Sequence, residues 1–129
     1  MKARVVYSRV GIEVDLDSVA KARQVTGAVL QALRDRLTAE EAEQASAQLP
    51  TELKVLWQGG TPPPPRPLRM HRGEFYARVM RDGGLASMRK AELATDAVFA
   101  ALKDQISDGE CDDILAQLPS DLKRVWVHA

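Results

Sequence analysis

The segment Ala47-Gln48-Leu49-Pro50-Thr51-Glu52-Leu53-Lys54-Val55-Leu56-Trp57 decides how the chain is organised. A close copy of it returns in the second half of the chain as Ala116-Gln117-Leu118-Pro119-Ser120-Asp121-Leu122-Lys123-Arg124-Val125-Trp126. The two segments are 69 residues apart. At this offset residues 1–60 align with residues 70–129 without a gap, and 22 of the 60 pairs are identical. Self-similarity at a fixed period is typical of repeated structural units. We therefore expect two copies of one unit.

A proline-rich segment separates the two copies. Residues 61–69 include Pro62–Pro65 and Pro67, and proline lacks a backbone N–H and favours an extended chain. The seven residues from Thr61 to Pro67, at ~3.1 Å each, span ~22 Å, about the width of a small helical bundle. We therefore expect a single domain over residues 1–129, made of repeat one (1–60), a linker (61–69) and repeat two (70–129).

Apolar residues in each copy recur at spacings of three and four, which indicates amphipathic helices. The longest helix of each copy is expected to cover Val25 to Leu37 and Ala94 to Ile106, and these two helices are expected at the seam between the copies. The remaining helices are expected to bury Val6, Tyr7, Val10, Ala42, Ala45, Leu49, Leu53, Leu56 and Trp57 in one copy and Phe75, Tyr76, Val79, Cys111, Ile114, Leu115, Leu118, Leu122, Val125 and Trp126 in the other.

Start and stop signals divide each copy into four helices. Thr38 with Glu41 and Ser107 with Glu110 have the spacing of a capping box, in which the hydroxyl accepts from the N3 amide and the carboxylate accepts from the cap residue's N–H.

The segment that follows each capping box is closed by a proline. Pro50 and Pro119 disfavour helical backbone in the residue before them, and Gly11 and Gly83-Gly84 are expected to end the opening helices. No stretch alternates with period two. The sequence thus predicts an all-α fold of two tandem four-helix repeats, packed with pseudo-twofold symmetry.

Composition narrows the class of protein. The 129 residues include 18 Lys+Arg and 18 Asp+Glu, and zero net charge argues against binding nucleic acid by bulk electrostatics. A single cysteine excludes an internal disulfide. No apolar run approaches the ~20 residues of a membrane span, and no apolar signal core follows the first residues. We expect a cytoplasmic protein with no membrane contact.

Several of these motifs resemble a bacterial family known as domain of unknown function 2267. The resemblance covers nearly the whole chain and implies an all-helical tandem repeat without an established activity, so it implies no catalytic residue. The segments that carry it are Ala28 to Leu37, Glu40-Glu41-Ala42, Ala47-Gln48-Leu49-Pro50, Glu74 to Val79, Gln117-Leu118-Pro119, and Leu122-Lys123 with Trp126.

The ligand patterns of common metal and catalytic sites are missing. Cys111, His71 and His128 occur without a CxxC or HExxH spacing, and no glycine-rich loop joins a strand to a helix. We expect no cofactor, no metal, no catalytic residues and no enzymatic activity, with Cys111 as a buried thiol.

Polar residues common to both copies have two interpretations. In the structural interpretation, Gln48 and Gln117 bond the backbone freed at the proline break, while Asp35, Lys54 and their counterparts Asp104 and Lys123 bridge helices. In the functional interpretation, two equivalent grooves bind a partner helix or an anionic ligand. The groove residues would be Tyr7, Arg9 and Trp57 in one copy and Tyr76, Arg78 and Trp126 in the other.

A basic stretch stands out from the neutral total charge. It is the candidate partner-binding site, formed by Arg66, Arg69, Arg72, Arg78, Arg81, Arg89 and Lys90. We expect a non-enzymatic protein-interaction or adaptor module. Its partner is expected to be a protein, either a different one or a second copy of the same chain. The alternative is a nucleic-acid or anionic-ligand binder that uses this stretch; nucleic acid is the less favoured partner, because the nearby aromatic residues fit a core better than a base-stacking platform.

Overall fold

The computed structural model describes residues 3–129, so the first two residues of the expected first repeat lie outside the described part. The described chain is all-α, with eight helices and no strand. The helices are α1 (Ala3–Val14), α2 (Val19–Arg36), α3 (Ala39–Ala47), α4 (Thr51–Gln58), α5 (Arg72–Gly83), α6 (Met88–Gln105), α7 (Asp108–Gln117) and α8 (Ser120–His128). Each of the last four begins at the position that the repeat offset assigns to its counterpart among the first four.

Side-chain caps fix where the longer helices begin. Ser18 accepts a hydrogen bond from the Lys21 amide at the start of α2, and Ser87 accepts one from the Lys90 amide at the start of α6. Such caps satisfy amides that have no partner inside the helix. Pro50 stands immediately before α4 in extended backbone, as the proline break predicts.

The ends of the two opening helices differ. Helix α5 ends at Gly83 and is closed by Gly84, whose φ of 62° is left-handed, so that prediction is confirmed. The prediction that Gly11 ends α1 is wrong, because the helix continues to Val14 and the left-handed residue is Asp15. An isolated glycine weakens a helix by only about 1 kcal/mol, which the buried Val10 and Val14 on either side of it outweigh.

Four helices form the centre of the molecule. Helix α2 packs against α1 and α5, and α6 packs against α5 and α1, so each long helix contacts both opening helices. The long helices also contact each other, as expected at the seam, but α2 makes its broadest contact with α5. Helices α3 and α7 contact each other, while α4 packs on α2 and α8 packs on α6.

One cluster of buried side chains runs through all these helices. Phe75 and Phe99 are fully buried at its middle, with ring centroids 5.7 Å apart, and Trp126 continues the aromatic contact at 5.1 Å from Phe99. Of the residues expected in the core, Leu56, Cys111 and Leu115 are only partly buried. They lie on the short outer helices, each of which is covered on fewer sides than the long ones.

The segment between α4 and α5 is held to the end of α2. The Leu68 amide donates to the Asp35 carbonyl at 2.7 Å, and the Arg34 guanidinium donates to the Thr61 carbonyl at 3.2 Å. Met70 is buried in the core just before α5 begins. The proline-rich chain therefore follows the surface of the bundle and enters α5 at a fixed point.

Among residues 3–129, no helix combines the length and the apolar character that crossing a bilayer requires.

A charge placed in the centre tests whether the core is shared. Val29 is fully buried, so Val29→Asp removes apolar contact and buries a carboxylate, at a cost of about 3 kcal/mol or more. We expect circular dichroism to show one cooperative thermal transition in the wild type and a strongly lowered melting temperature in the variant. Val127→Asp, at a site 56% exposed, is the control. Separate transitions for the two halves, or equal stability of both variants, would contradict a shared core.

Candidate functional site

The meeting point of α3 and α7 is built by an exchange of glutamine contacts. The Ser107 amide donates to Gln48 Oε1 at 2.7 Å, and the Thr38 amide donates to Gln117 Oε1 at 2.8 Å. Both glutamines were expected to bond the backbone at their own proline break, and that expectation is wrong. Each glutamine instead satisfies the cap residue of the other short helix, where an N–H has no helical partner.

This exchange changes the role of the two capping glutamates. The hydroxyl half of each expected capping box is confirmed, since the Glu41 amide donates to Thr38 Oγ1 at 3.3 Å and the Glu110 amide donates to Ser107 Oγ at 3.2 Å. The carboxylate half is wrong, because the cap amides are already bonded to glutamine. The Glu41 and Glu110 side chains are therefore free to turn elsewhere.

These two carboxylates meet between α3 and α7. Glu41 is 5% exposed and Glu110 is 7% exposed, and a carboxylate oxygen of each lies within 4.8 Å of the other and of one from the exposed Asp113. The Oε1 atoms of Glu41 and Glu110 are buried without a hydrogen-bond partner. We call these three residues the carboxylate cluster.

Burial and like charge act together on Glu41. Burial raises the pKa of its carboxyl group from 4.5 to about 8, and a hydrogen bond with the Glu110 side chain and the charges of Glu110 and Asp113 add to the rise. Desolvation and negative neighbours both disfavour the ionised form. Glu41 therefore carries a proton at neutral pH in the metal-free protein.

A second polar network joins α2 to α5. Asp35 Oδ2 accepts from Arg78 at 2.6 Å, and Asp35 Oδ1 accepts from Arg34 at 2.8 Å. Arg34 and Asp35 are buried, and Arg34 also donates to the carbonyl of Trp57 at the end of α4. The expected helix bridge by Asp35 is thus present, and the network ties α2, α4 and α5 together.

The residues that correspond to this network in the sequence alignment of the two halves form looser contacts. Arg9 pairs with Asp104 at 3.7 Å on the surface, and Lys103 donates to the Trp126 carbonyl at 2.9 Å at the end of α8. The expected bridges by Lys54 and Lys123 are absent from the ion pairs of residues 3–129.

The aromatic residues of the functional interpretation are part of the core. Tyr7, Trp57, Tyr76 and Trp126 are all buried in the core, and only small parts of Tyr7 and Trp57 border surface depressions. Tyr7 uses its hydroxyl to donate to Glu52 at 3.1 Å. The structural interpretation of these aromatic residues is correct.

The seven basic candidates fall into different environments. Arg78 is committed to Asp35 and Lys90 is half-buried at the start of α6. Arg81 pairs with Asp82 at 2.9 Å, and Arg89 pairs with Glu92 at 3.0 Å. The members of this set that are exposed and form no ion pair within residues 3–129 are Arg66, Arg69 and Arg72.

One of these free cations borders a small cleft. The cleft, of about 290 Å³, is lined by Arg36, Arg69, Met70, His71 and Pro119. The Nε atom of Arg36 is buried without a hydrogen-bond partner. The two guanidinium groups at this cleft can attract an anion, whereas His71 Nδ1 faces Asp121 Oδ1 at 3.6 Å.

Chemistry at the lone thiol is restrained. Cys111 is partly buried, against the expectation of full burial, and its thiol faces the Lys103 carbonyl at 4.0 Å. Burial raises the pKa of the Cys111 thiol, and the Asp108 charge adds to that rise. A raised pKa keeps the sulfur in the less nucleophilic thiol form.

The outer face of α1 exposes apolar side chains. Ile12 is 76% exposed and Val5 is 47% exposed, and together with Arg4, Arg9 and Glu13 they line a shallow depression of about 550 Å³. The inner face of the same helix is buried against α2 and α6. Period analysis of the sequence detects the inner face but gives no signal for exposed apolar residues opposite it.

The pKa of Glu41 predicts how stability changes with pH. An acidic group whose pKa is raised on folding contributes full stability at a pH below its pKa in the unfolded state. This contribution is lost as the pH rises through its pKa in the folded state. For Glu41 that window runs from about 4.5 to about 8. Glu41→Gln keeps the shape and never ionises, so the variant should gain stability relative to the wild type across this window.

Thermal unfolding in metal-free buffer at pH 5, 7 and 9 measures that gain. We expect the melting-temperature difference between Glu41→Gln and wild type to widen by several degrees, since one kcal/mol corresponds to roughly 4 °C for a domain of this size. Glu43→Gln, on the exposed side of α3, should show a constant difference. A constant difference for Glu41→Gln as well would mean that Glu41 titrates normally.

Comparison with known proteins gives a family and no activity. No curated protein matches the sequence. Residues 5–125 match the model of DUF2267, which is described as an uncharacterized conserved protein. The match extends from α1 to α8 and includes both Gln-Leu-Pro segments. The chain therefore belongs to the DUF2267 family.

Proposed function

We propose that the chain is a non-enzymatic protein-interaction or adaptor module of the bacterial cytoplasm, and that a second copy of the chain binds to the outer face of α1. The observation that carries this proposal is the exposed pair Val5 and Ile12 on a helix whose other side is fully packed. Apolar groups grouped on one face gain free energy when a partner covers them.

The architecture we propose for this module is that of two tandem four-helix repeats, 1–60 and 70–129, joined by the linker 61–69 into one domain with pseudo-twofold symmetry. Shared helix offsets support it. So do contacts that recur at the same offset, namely Gln48 to Ser107 with Gln117 to Thr38, and Asp35 to Arg78 with Asp104 to Arg9.

Charge complementarity favours a second copy as the occupant. On a helix of 3.6 residues per turn, Arg9 and Glu13 lie one turn apart on the same edge of the apolar strip. When two α1 helices pack antiparallel about the level of Gly11, Arg9 of each copy is level with Glu13 of the other. Ile12 of each copy then lies beside Ile12 of its partner at the centre.

Such a contact is isologous, so it closes at two copies. The apolar centre supplies affinity, and the two Arg9–Glu13 pairs set the antiparallel register, since rim charges contribute orientation more than affinity.

Charge reversal tests the register. Arg9→Glu alone and Glu13→Arg alone each place like charges opposite one another, so both should weaken dimerisation, while the double variant restores opposite charges and should recover it. Ile12→Asp should weaken the dimer by about 100-fold or more, because it removes an apolar contact in both copies. Sedimentation velocity over a concentration series measures the dissociation constant.

Two controls accompany that series. Val127→Asp alters an exposed apolar site on α8 and should not change the dimer, and Asp104→Asn frees Arg9 from its internal pair and should not weaken the dimer. A monomeric wild type at hundreds of micromolar, or a double variant no better than the single ones, would refute the α1 interface.

The unpaired cations favour an anionic ligand as a second candidate. Arg66, Arg69 and Arg72 are exposed without acidic partners in the described chain, and Arg36, whose Nε is buried and unpartnered, lines the cleft beside Arg69. The rest of the basic stretch from Arg66 to Lys90 is engaged with the protein's own carboxylates or half-buried, which limits the number of phosphate contacts it can make.

Fluorescence anisotropy with a labelled DNA duplex distinguishes this candidate. Each phosphate contact contributes about 0.9 to the slope of log affinity against log salt, so Arg66→Ala, Arg69→Ala and Arg72→Ala combined should reduce that slope by up to about 2.7. Arg81→Ala with Arg89→Ala, which removes cations that are already paired, should leave it nearly unchanged. No binding at low salt, about 50 mM, would eliminate nucleic acid as the ligand.

A further inference from the structure

We propose that Glu41, Glu110 and Asp113 bind one hard divalent cation between α3 and α7. The three carboxylates come from two different helices, and one oxygen of each lies within 4.8 Å of the other two. A cation there would join the two helices directly.

Two of the three carboxylates are buried, and their burial, rather than the number of acidic groups, points to a ligand. Glu41 and Glu110 are each more than nine-tenths buried. Their Oε1 atoms have neither solvent contact nor a hydrogen-bond partner. A buried carboxylate oxygen without a partner costs free energy, so a cation bound at this point would lower that cost.

No basic side chain supplies that compensation within residues 3–129. The Lys and Arg side chains that form ion pairs in the described chain use other carboxylates, and none pairs with the carboxylate cluster. The amides nearest to the glutamates are bonded to Gln48, Gln117 and the cap hydroxyls. A divalent cation would displace the Glu41 proton to solvent, balance the charge of both carboxylates and bind both Oε1 atoms as ligands.

The spacing of the three oxygens fits an ion of this class. A point inside a triangle with sides of at most 4.8 Å lies within about 2.8 Å of all three corners, close to the 2.3–2.6 Å of Ca²⁺–oxygen bonds. Carboxylate and water ligands suit Ca²⁺, Mn²⁺ and Mg²⁺. Because Asp113 is exposed, water can reach the open side of the ion and complete its coordination.

Calorimetry and thermal unfolding of the EDTA-treated full chain test the site. Ca²⁺, Mn²⁺ and Mg²⁺ are each titrated as the chloride at constant ionic strength. We expect at least one of them to bind at about one equivalent per chain and to raise the melting temperature. Glu41→Gln and Glu110→Gln should each reduce its affinity by at least about tenfold, since even the loss of an outer-shell partner costs that much.

The neutral variants keep this test interpretable. Because Gln at position 41 or 110 removes repulsion between buried carboxylates, both variants should fold at least as well as the metal-free wild type while losing the response to the ion. Asp112→Asn removes an exposed neighbouring charge outside the carboxylate cluster and should retain binding within about twofold.

Two results would contradict the cation site. The proposal is wrong when none of the three ions changes the heat signal or the melting temperature of the wild type. It is also wrong when Asp112→Asn loses affinity as much as Glu41→Gln does, because binding then follows surface charge. In the first case a shared proton between Glu41 and Glu110 satisfies the orphaned oxygens instead.

Discussion

The rest of the structure depends on the packing of each long helix between two opening helices. Helix α2 lies against α1 and α5, and α6 lies against α5 and α1, so neither half of the chain covers its long helix alone. Apolar burial scales with the area removed from water, and a unit of about 60 residues has little area to bury by itself. The shared core places α3 beside α7, and it leaves the outer face of α1 without a partner.

The carboxylate cluster is a consequence of that arrangement. Because the start of each of α3 and α7 lies beside the end of the other, Gln48 and Gln117 reach the cap amides of the opposite helix. This satisfies the donors that the capping glutamates would otherwise bond. Glu41 and Glu110 are then released toward each other in a buried space, where their charges are unfavourable. A contact that stabilises two helix starts thus brings two acidic side chains together in a buried space.

Sequence periodicity predicted the helices well because local rules determine them. The long helices, their serine caps and the proline breaks all depend on neighbours within four positions along the chain. The partners of Gln48 and the proximity of Glu41 to Glu110 depend on how α3 meets α7, and these helices come from opposite halves of the chain. Nothing in helical spacing encodes that meeting. Buried tyrosine and tryptophan were equally ambiguous, since a groove and a core share the same period.

The two halves differ most on the surface, and this difference limits what the module can bind. Val5 and Ile12 on α1 correspond to Glu74 and Arg81 on α5 at the common offset. An apolar pair therefore stands on one opening helix, and charged residues stand at the same positions on the other. If α1 and α5 both had an exposed apolar face, each copy would have two association surfaces, and association could continue without closing. Because only α1 of the two has such a face, a symmetric contact between two copies buries it in both. Helix α5 then remains free to face water or an anion.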